Sequence, residues 1–236
     1  MSSNKALNKS IIIILLFVFS IIAFYTGYSK QSGTLEPDMV FEVLSFSDFA
    51  HSIDELNKVA ALAGIGLIAL AFLSGPLSRL WPKTCAWLLP TRKYVGIGGF
   101  ILAALHSIYA IIIFYDLDLN QILLENPHAL AIILGIIAIL IFALITFTST
   151  KKAVKQMGYS KWKTIQTTGY VALLLAVIHF ILLETKPEIG LSVRPYGLLF
   201  LAIAIIALAM KGLMILIQSP EKKSYEEHIG ESKKKK

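Results

Sequence analysis

Apolar runs alternate with short polar segments along the whole chain, at roughly 11–28, 57–78, 94–115, 129–149, 164–183 and 196–217. Each run is close to the ~20 residues that a helix needs to cross a bilayer. The pattern predicts an all-α membrane protein, a bundle of six transmembrane helices over 11–218, with a polar tail at 1–10 and another at 219–236. The first run follows Lys5 and Lys9 as a signal peptide would, but no small-x-small cleavage site follows it and its apolar stretch is long, so an uncleaved anchor is expected. His228 and the closing KKKK fall in the last tail, which its polarity predicts to be a flexible end.

Composition agrees with the pattern. Hydrophobic residues make up 56% of the chain, charged residues 16%, and the mean hydropathy is +0.71, which is too apolar for a water-soluble domain. The net charge of +7 does not imply nucleic acid, because the basic residues sit in short runs between apolar segments rather than on an aromatic-interleaved basic surface. Their placement implies orientation instead. With both termini cytoplasmic, cytoplasmic ends and loops hold 17 of the 22 Lys and Arg residues, including Arg79, Arg92, Lys93, Lys151, Lys161 and Lys163. The outer loops hold eleven of the fifteen acids. This is the positive-inside distribution, expected of a multi-pass protein of a plasma or inner membrane.

Candidate chemistry is sparse. The single cysteine, Cys85, excludes an intrachain disulfide and a Cys-x-x-Cys metal site, so any metal needs nitrogen or oxygen ligands. The loops are too short for a nucleotide-binding domain, and the glycines of VGIGG open a membrane helix, where helix packing accounts for them.

Two histidines lie within spans, where an ionisable side chain is costly and marks a site or a satisfied interhelical bond. His106 falls ~20 Å along span three and His179 ~22 Å along span five at 1.5 Å per residue, both counted from the cytoplasmic side, so the two reach the same depth. Each tops a stripe of small residues at helical steps: Gly96, Gly99 and Ala103 below His106; Gly169, Ala172 and Ala176 below His179. Steps of three and four share a helix face. Spacing alone leaves two readings: close helix packing with two interhelical donors, or a flat slot between two imidazoles that suits a porphyrin. A heme-free transporter, channel or scaffold using the histidines as proton relay or packing groups also fits.

Resemblance favours the porphyrin. The run SGPLSRLWPKTCAWLLPTRKYVGIGGFILAALH, with Pro76, Leu77, Arg79 and Leu80 and then Arg92, Lys93, Gly96 and His106, resembles the ferric reductase-like transmembrane family, which includes the heme-binding membrane subunit of the periplasmic methionine sulfoxide reductase system. Downstream, Trp162 and His179 match a Trp-x-x-Leu-His segment and a histidine thirteen residues after it, while Gln166 stands where the segment's own histidine would be. The similarity covers about 55–215. It implies a membrane cytochrome b with His106 and His179 as the axial ligands of one heme b. The inner heme level of two-heme relatives is held here by Arg92 and Gln166, neither a normal heme ligand.

Electrons would then pass from a quinol, a flavin or a flavin-bearing protein to an outer acceptor, a reductase partner, metal ion or oxygen. The resemblance thus implies a transmembrane oxidoreductase or electron-transfer subunit of ferric reductase type. Arg92, Gln166 and Lys211 are candidates to face a donor or cofactor in the inner gap, and Arg194 to pair with a heme propionate. For Lys211 the simpler expectation is snorkelling to the interface. Asp48, His51, Asp54 and Glu55 recur at helical spacing before span two, where a solvated acidic face is expected over a cation site. His128 starts span four on the outer side, where an interfacial residue is expected over a neighbour of the heme edge.

Overall fold

The computed structural model describes residues 3–27, 34, 36–186, 190–191 and 195–234. In chain order they form α1 (Ser3–Ile21), α2 (Pro37–Ser45), α3 (Phe49–Leu80), α4 (Pro82–Cys85), α5 (Arg92–Tyr109), α6 (Ala129–Thr148), α7 (Lys151–Met157), α8 (Tyr159–Glu184) and α9 (Pro195–Lys234). A two-residue antiparallel ladder, β1 (Thr185–Lys186) with β2 (Gly190–Leu191), joins α8 to α9. π-helical turns extend α1 to Thr26 and α5 to Phe114.

Six helical segments are long and apolar enough to cross a bilayer: Asn4–Ile21, Phe49–Leu80, Arg92–Phe114, Ala129–Thr148, Tyr159–Glu184 and Gly197–Ile217. The chain is an integral multi-pass membrane protein. Span one starts seven residues earlier than its apolar run, because Ser10 is buried inside the helix, donating to Ala6 O at 2.8 Å and Thr91 O at 3.4 Å. A polar N-terminal residue that finds carbonyl partners is no obstacle to the helix. At the other end α9 continues helically through the polar tail to Lys234, where sequence polarity predicted a flexible end.

The core lies between α3, α6, α8 and α9, around Ile68, Phe72, Phe142, Ala172, Leu173 and Ala207. Small residues set the closest approach. A Cβ on Gly64 of α3 would come 2.8 Å from Ala103 N, and one on Gly99 of α5 would come 2.8 Å from Gly64 O. Only a side-chain-free pair lets two helix backbones touch there. Because α3 and α5 run antiparallel, this contact fixes a register: seven residues away on each helix Asn57 meets His106, and three further on Asp54 meets Tyr109.

Pro76, inside α3, lacks the N–H that would bond the carbonyl four residues back. That carbonyl, Phe72 O, instead accepts from Tyr170 Oη of α8 at 3.2 Å. In lipid a freed backbone group needs such a partner, so the proline links α3 to α8 instead of merely bending it.

Candidate functional site

Two cavities occupy the bundle, separated by Ile68 and Phe142, which line both. The first, of about 580 Å³, is walled by α3, α5, α6, α8 and α9 and receives both His106 and His179. Its remaining wall is mainly aliphatic and aromatic, including Leu62, Ile65, Ala103, Ile132, Ala176 and Phe200.

Each imidazole is held by its Nδ1. His179 Nδ1 lies 2.7 Å from Ala131 O; a carbonyl can only accept, so Nδ1 carries the proton and donates. His106 Nδ1 lies 3.1 Å from Asn57 Oδ1, and the same assignment makes it a donor there. In both rings this leaves the Nε2 lone pair free, the state in which neutral histidine binds a metal. Asn57 is itself only 7% exposed, so its amide is fixed by packing. Gly135 of α6 lies flat against the other ring: a Cβ there would come 2.7 Å from His179 Nδ1 and 2.9 Å from its Cε1.

The donor set is therefore two imidazoles and no thiolate, in a largely apolar, partly enclosed space whose wall also carries Lys58 and the single carboxylate Glu184. Among the described residues no group of three or more His, Cys, Asp or Glu is placed to hold a bare ion. A planar macrocycle that brings its own equatorial nitrogens fits this set.

The six small residues divide between several roles. Ala103 and Ala176 line the histidine cavity. Gly96 lines the second cavity, Gly99 makes the α3–α5 contact, and Ala172 is fully buried in the core. Gly169 faces Phe72, whose ring fills the space beside it, with Cε1 2.8 Å from where a Cβ would be. The stripes thus do not form one continuous slot, because Phe72 enters from α3 at the Gly169 end.

The second cavity, about 520 Å³, opens at the basic end of the bundle and is lined by Arg79, Arg92, Lys93, Lys151, Lys163 and Lys211, together with Gln166 and Tyr170. Gln166 Nε2 donates to Ile145 O at 3.2 Å and lies 3.3 Å from Thr148 Oγ1 and 3.4 Å from Ser149 Oγ, tying α8 to the end of α6. Lys211 Nζ lies 5.3 Å from the centre of the Tyr170 ring.

Other sequence candidates fall elsewhere. Arg194 lies outside the described residues, as does the side chain of His228. His128 precedes α6 with its backbone N–H on Asn126 Oδ1 and does not line the cavity. Asp48 accepts from His51 N, Asp54 accepts from Tyr109 Oη at 2.7 Å, and Glu55 pairs with Lys58 at 2.7 Å. The four are thus engaged separately. Sequence reasoning passed over Asn57, Ala131 and Gly135. Only Asn57 carries a signal, a polar residue placed at the mirror position to His106 across the small-residue contact.

The family model described as ferric reductase like transmembrane component matches residues 59–177, half of the chain, a stretch that contains His106 and ends two residues before His179. The heme-binding subunit MsrQ of protein-methionine-sulfoxide reductase from Salmonella paratyphi B is 28% identical over 163 residues, 67% of this chain and 77% of that protein. The Salmonella newport protein of the same name matches equally. Magnetosome protein MamZ of Magnetospirillum gryphiswaldense is 31% identical over 91 residues, 39% of this chain, and the match spans only 14% of MamZ.

Proposed function

The chain belongs to the ferric reductase-like transmembrane family, and we propose that within it the chain is a membrane cytochrome b that carries electrons across the bilayer through one heme b ligated by His106 and His179. The observation that carries this reading is the pair of imidazoles in one apolar cavity, each with Nδ1 engaged on an oxygen and Nε2 free. The MsrQ relatives, named as heme-binding subunits, support it.

When bound, such a heme supplies one-electron redox chemistry, and the protein contributes ligands, burial and orientation. Asn57 and the Ala131 carbonyl hold both rings in the ligating tautomer and raise their basicity. Gly135 sets the plane of the His179 ring. The largely apolar wall around the rings lowers the local dielectric, which tunes potential.

One heme is proposed rather than two. At the basic-end level Arg92 has no lone pair to offer, the Gln166 amide is spent on the end of α6, and the Phe72 ring fills the space at Gly169. By the positive-inside rule the basic end faces the cytoplasm, so a quinol or flavin donor would deliver electrons there, and a separate reductase partner, metal ion or oxygen would accept them outside. Absorbance of the purified protein tests the reading. A sharp Soret band, a reduced alpha band and one heme per chain by pyridine hemochrome are expected; a correctly inserted protein that shows no Soret band after expression with heme supplied in excess would overturn it.

A further inference from the structure

We propose that the basic-end cavity is a binding site for a phosphate ester with an apolar body, taken either from an anionic lipid or from a water-borne phosphate monoester. Arg92 and Lys211 belong to different spans, both are half-buried, and both line this cavity. Among the described residues neither has a carboxylate to pair with. The sequence has no Asp or Glu between Glu55 and Asp116, between Glu125 and Glu184, or between Glu188 and Glu221, so no acidic residue lines the cavity among the described residues.

What each cation does meet is an aromatic face. The Arg92 guanidinium lies 5.7 Å from the centre of the Phe72 ring, and Lys211 Nζ lies 5.3 Å from that of Tyr170. The two rings touch each other, with centroids 4.7 Å apart. The result is a cation on either side of an aromatic pair. Aromatic contacts offset part of the cost of a cation at membrane depth, but two uncompensated positive charges around one low-dielectric cavity repel each other and call for an anion. Arg79, Lys93, Lys151 and Lys163 add further positive charge to the wall, and Trp162, also in the wall, has a buried indole N–H without a hydrogen-bond partner among the described residues.

The chemistry of this donor set selects the ligand class. A guanidinium offers a planar fork that matches phosphate, ammonium groups add point charge, and the indole offers one more donor. Deeper in, Ile68, Ala71, Phe100 and Phe142 provide an apolar floor for the body of the ester. The inference does not depend on heme in the other cavity.

The test uses the full chain in phosphatidylcholine nanodiscs, with Trp81→Phe and Trp87→Phe so that Trp162 is the remaining indole. Dioctanoyl phosphatidic acid and phenyl phosphate are titrated against Trp162 emission, with dioctanoylglycerol and phenol as phosphate-free counterparts. At least one phosphate ester is expected to bind tenfold or more tightly than its counterpart, to be displaced by inorganic phosphate, and to lose tenfold or more in Arg92→Gln/Lys211→Met. Binding by phosphatidic acid alone assigns the lipid source, and binding by phenyl phosphate alone the water-borne one. Equal binding of esters and counterparts, no binding by either ester, or undiminished binding in the correctly inserted double variant overturns the proposal. Should that variant fail to insert, Lys163→Gln and phosphate competition in the parent decide: binding indifferent to both overturns it equally.

Discussion

The two ends of the bundle share α3, α5, α6, α8 and α9 as walls and differ in which polar residues these helices present. Toward one end α3, α5, α6 and α8 offer Asn57, His106, the Ala131 carbonyl and His179, and every ring nitrogen that could donate has an acceptor. Toward the other end α5, α8 and α9 offer Arg92, Lys163, Gln166 and Lys211 around a space with no acidic wall residue among those described. At the first end both imidazole Nδ1 atoms are engaged, leaving the Nε2 lone pairs free, and the wall carries Glu184 as well as Lys58. The second has donors and positive charge in excess. One fold therefore gathers free imidazole lone pairs in one cavity and unbalanced positive charge in the other.

The comparison breaks most completely if the imidazoles are not ligands. His106→Ala or His179→Ala is expected to abolish the low-spin spectrum, since removing either axial ring leaves a five-coordinate or empty site. Near-wild-type Soret bands in both variants would remove the distinction between the two ends. Almost as large an effect is expected from Gly135→Leu. A Cβ alone would sit 2.7 Å from His179 Nδ1, and a branched side chain must drive the ring off its bond to Ala131 O. Heme content should fall by tenfold or more, while Gly96→Ala, whose added Cβ meets only Ala71 Cβ at 3.4 Å, should keep full loading.

A subtler variant tests the partner rather than the ligand. Asn57→Leu keeps the branched shape and removes the acceptor of His106 Nδ1–H, leaving that donor buried and unpaired. Loss of such a partner to a metal-ligating histidine typically costs about 10–100-fold in metal affinity. A faster release of heme to apomyoglobin, with the low-spin spectrum retained at saturation, is the expected signature. An unchanged release rate would mean that Asn57 only fills space.

These residues also show what the sequence could and could not reveal. The six spans follow from hydropathy because lipid demands ~20 apolar residues whatever the packing. The histidines stand out because ionisable groups inside spans are rare. The stripes of small residues pointed to a slot, yet Gly99 serves a helix contact and Gly169 accommodates Phe72. Which neighbour approaches a small residue depends on tertiary register, which hydropathy does not encode. Asn57 and Gly135 were hidden for the same reason, since their role appears only once α3 lies against α5 and α6 against α8. The cations of the second cavity were visible one by one, but Arg92, Lys163 and Lys211 come from three helices, and their convergence was not.

The smallest expected effect concerns Gln166, where the two ends are most easily confused, because its position in the family pattern belongs to a histidine. In this protein its amide nitrogen serves the end of α6. Ile145 O, its main acceptor at 3.2 Å, also receives Ser149 Oγ at 2.7 Å and Thr148 Oγ1 at 3.1 Å. Replacing Gln166 with Leu therefore removes one of several donors to a carbonyl that stays satisfied, and a typical net cost is about 1 kcal/mol. For a chain of this length that lowers the midpoint of thermal unfolding by roughly 2–4 °C. The oxidised heme spectrum should not change, since Gln166 does not line the histidine cavity. Charge reversal nearby should separate two lysines: Lys163→Glu, in the cavity wall, should slow reduction of the heme by a cytoplasmic donor, and Lys161→Glu, outside that wall, should not. A Gln166→Leu protein with an altered Soret band would place Gln166 within reach of the heme and merge the two ends into one site.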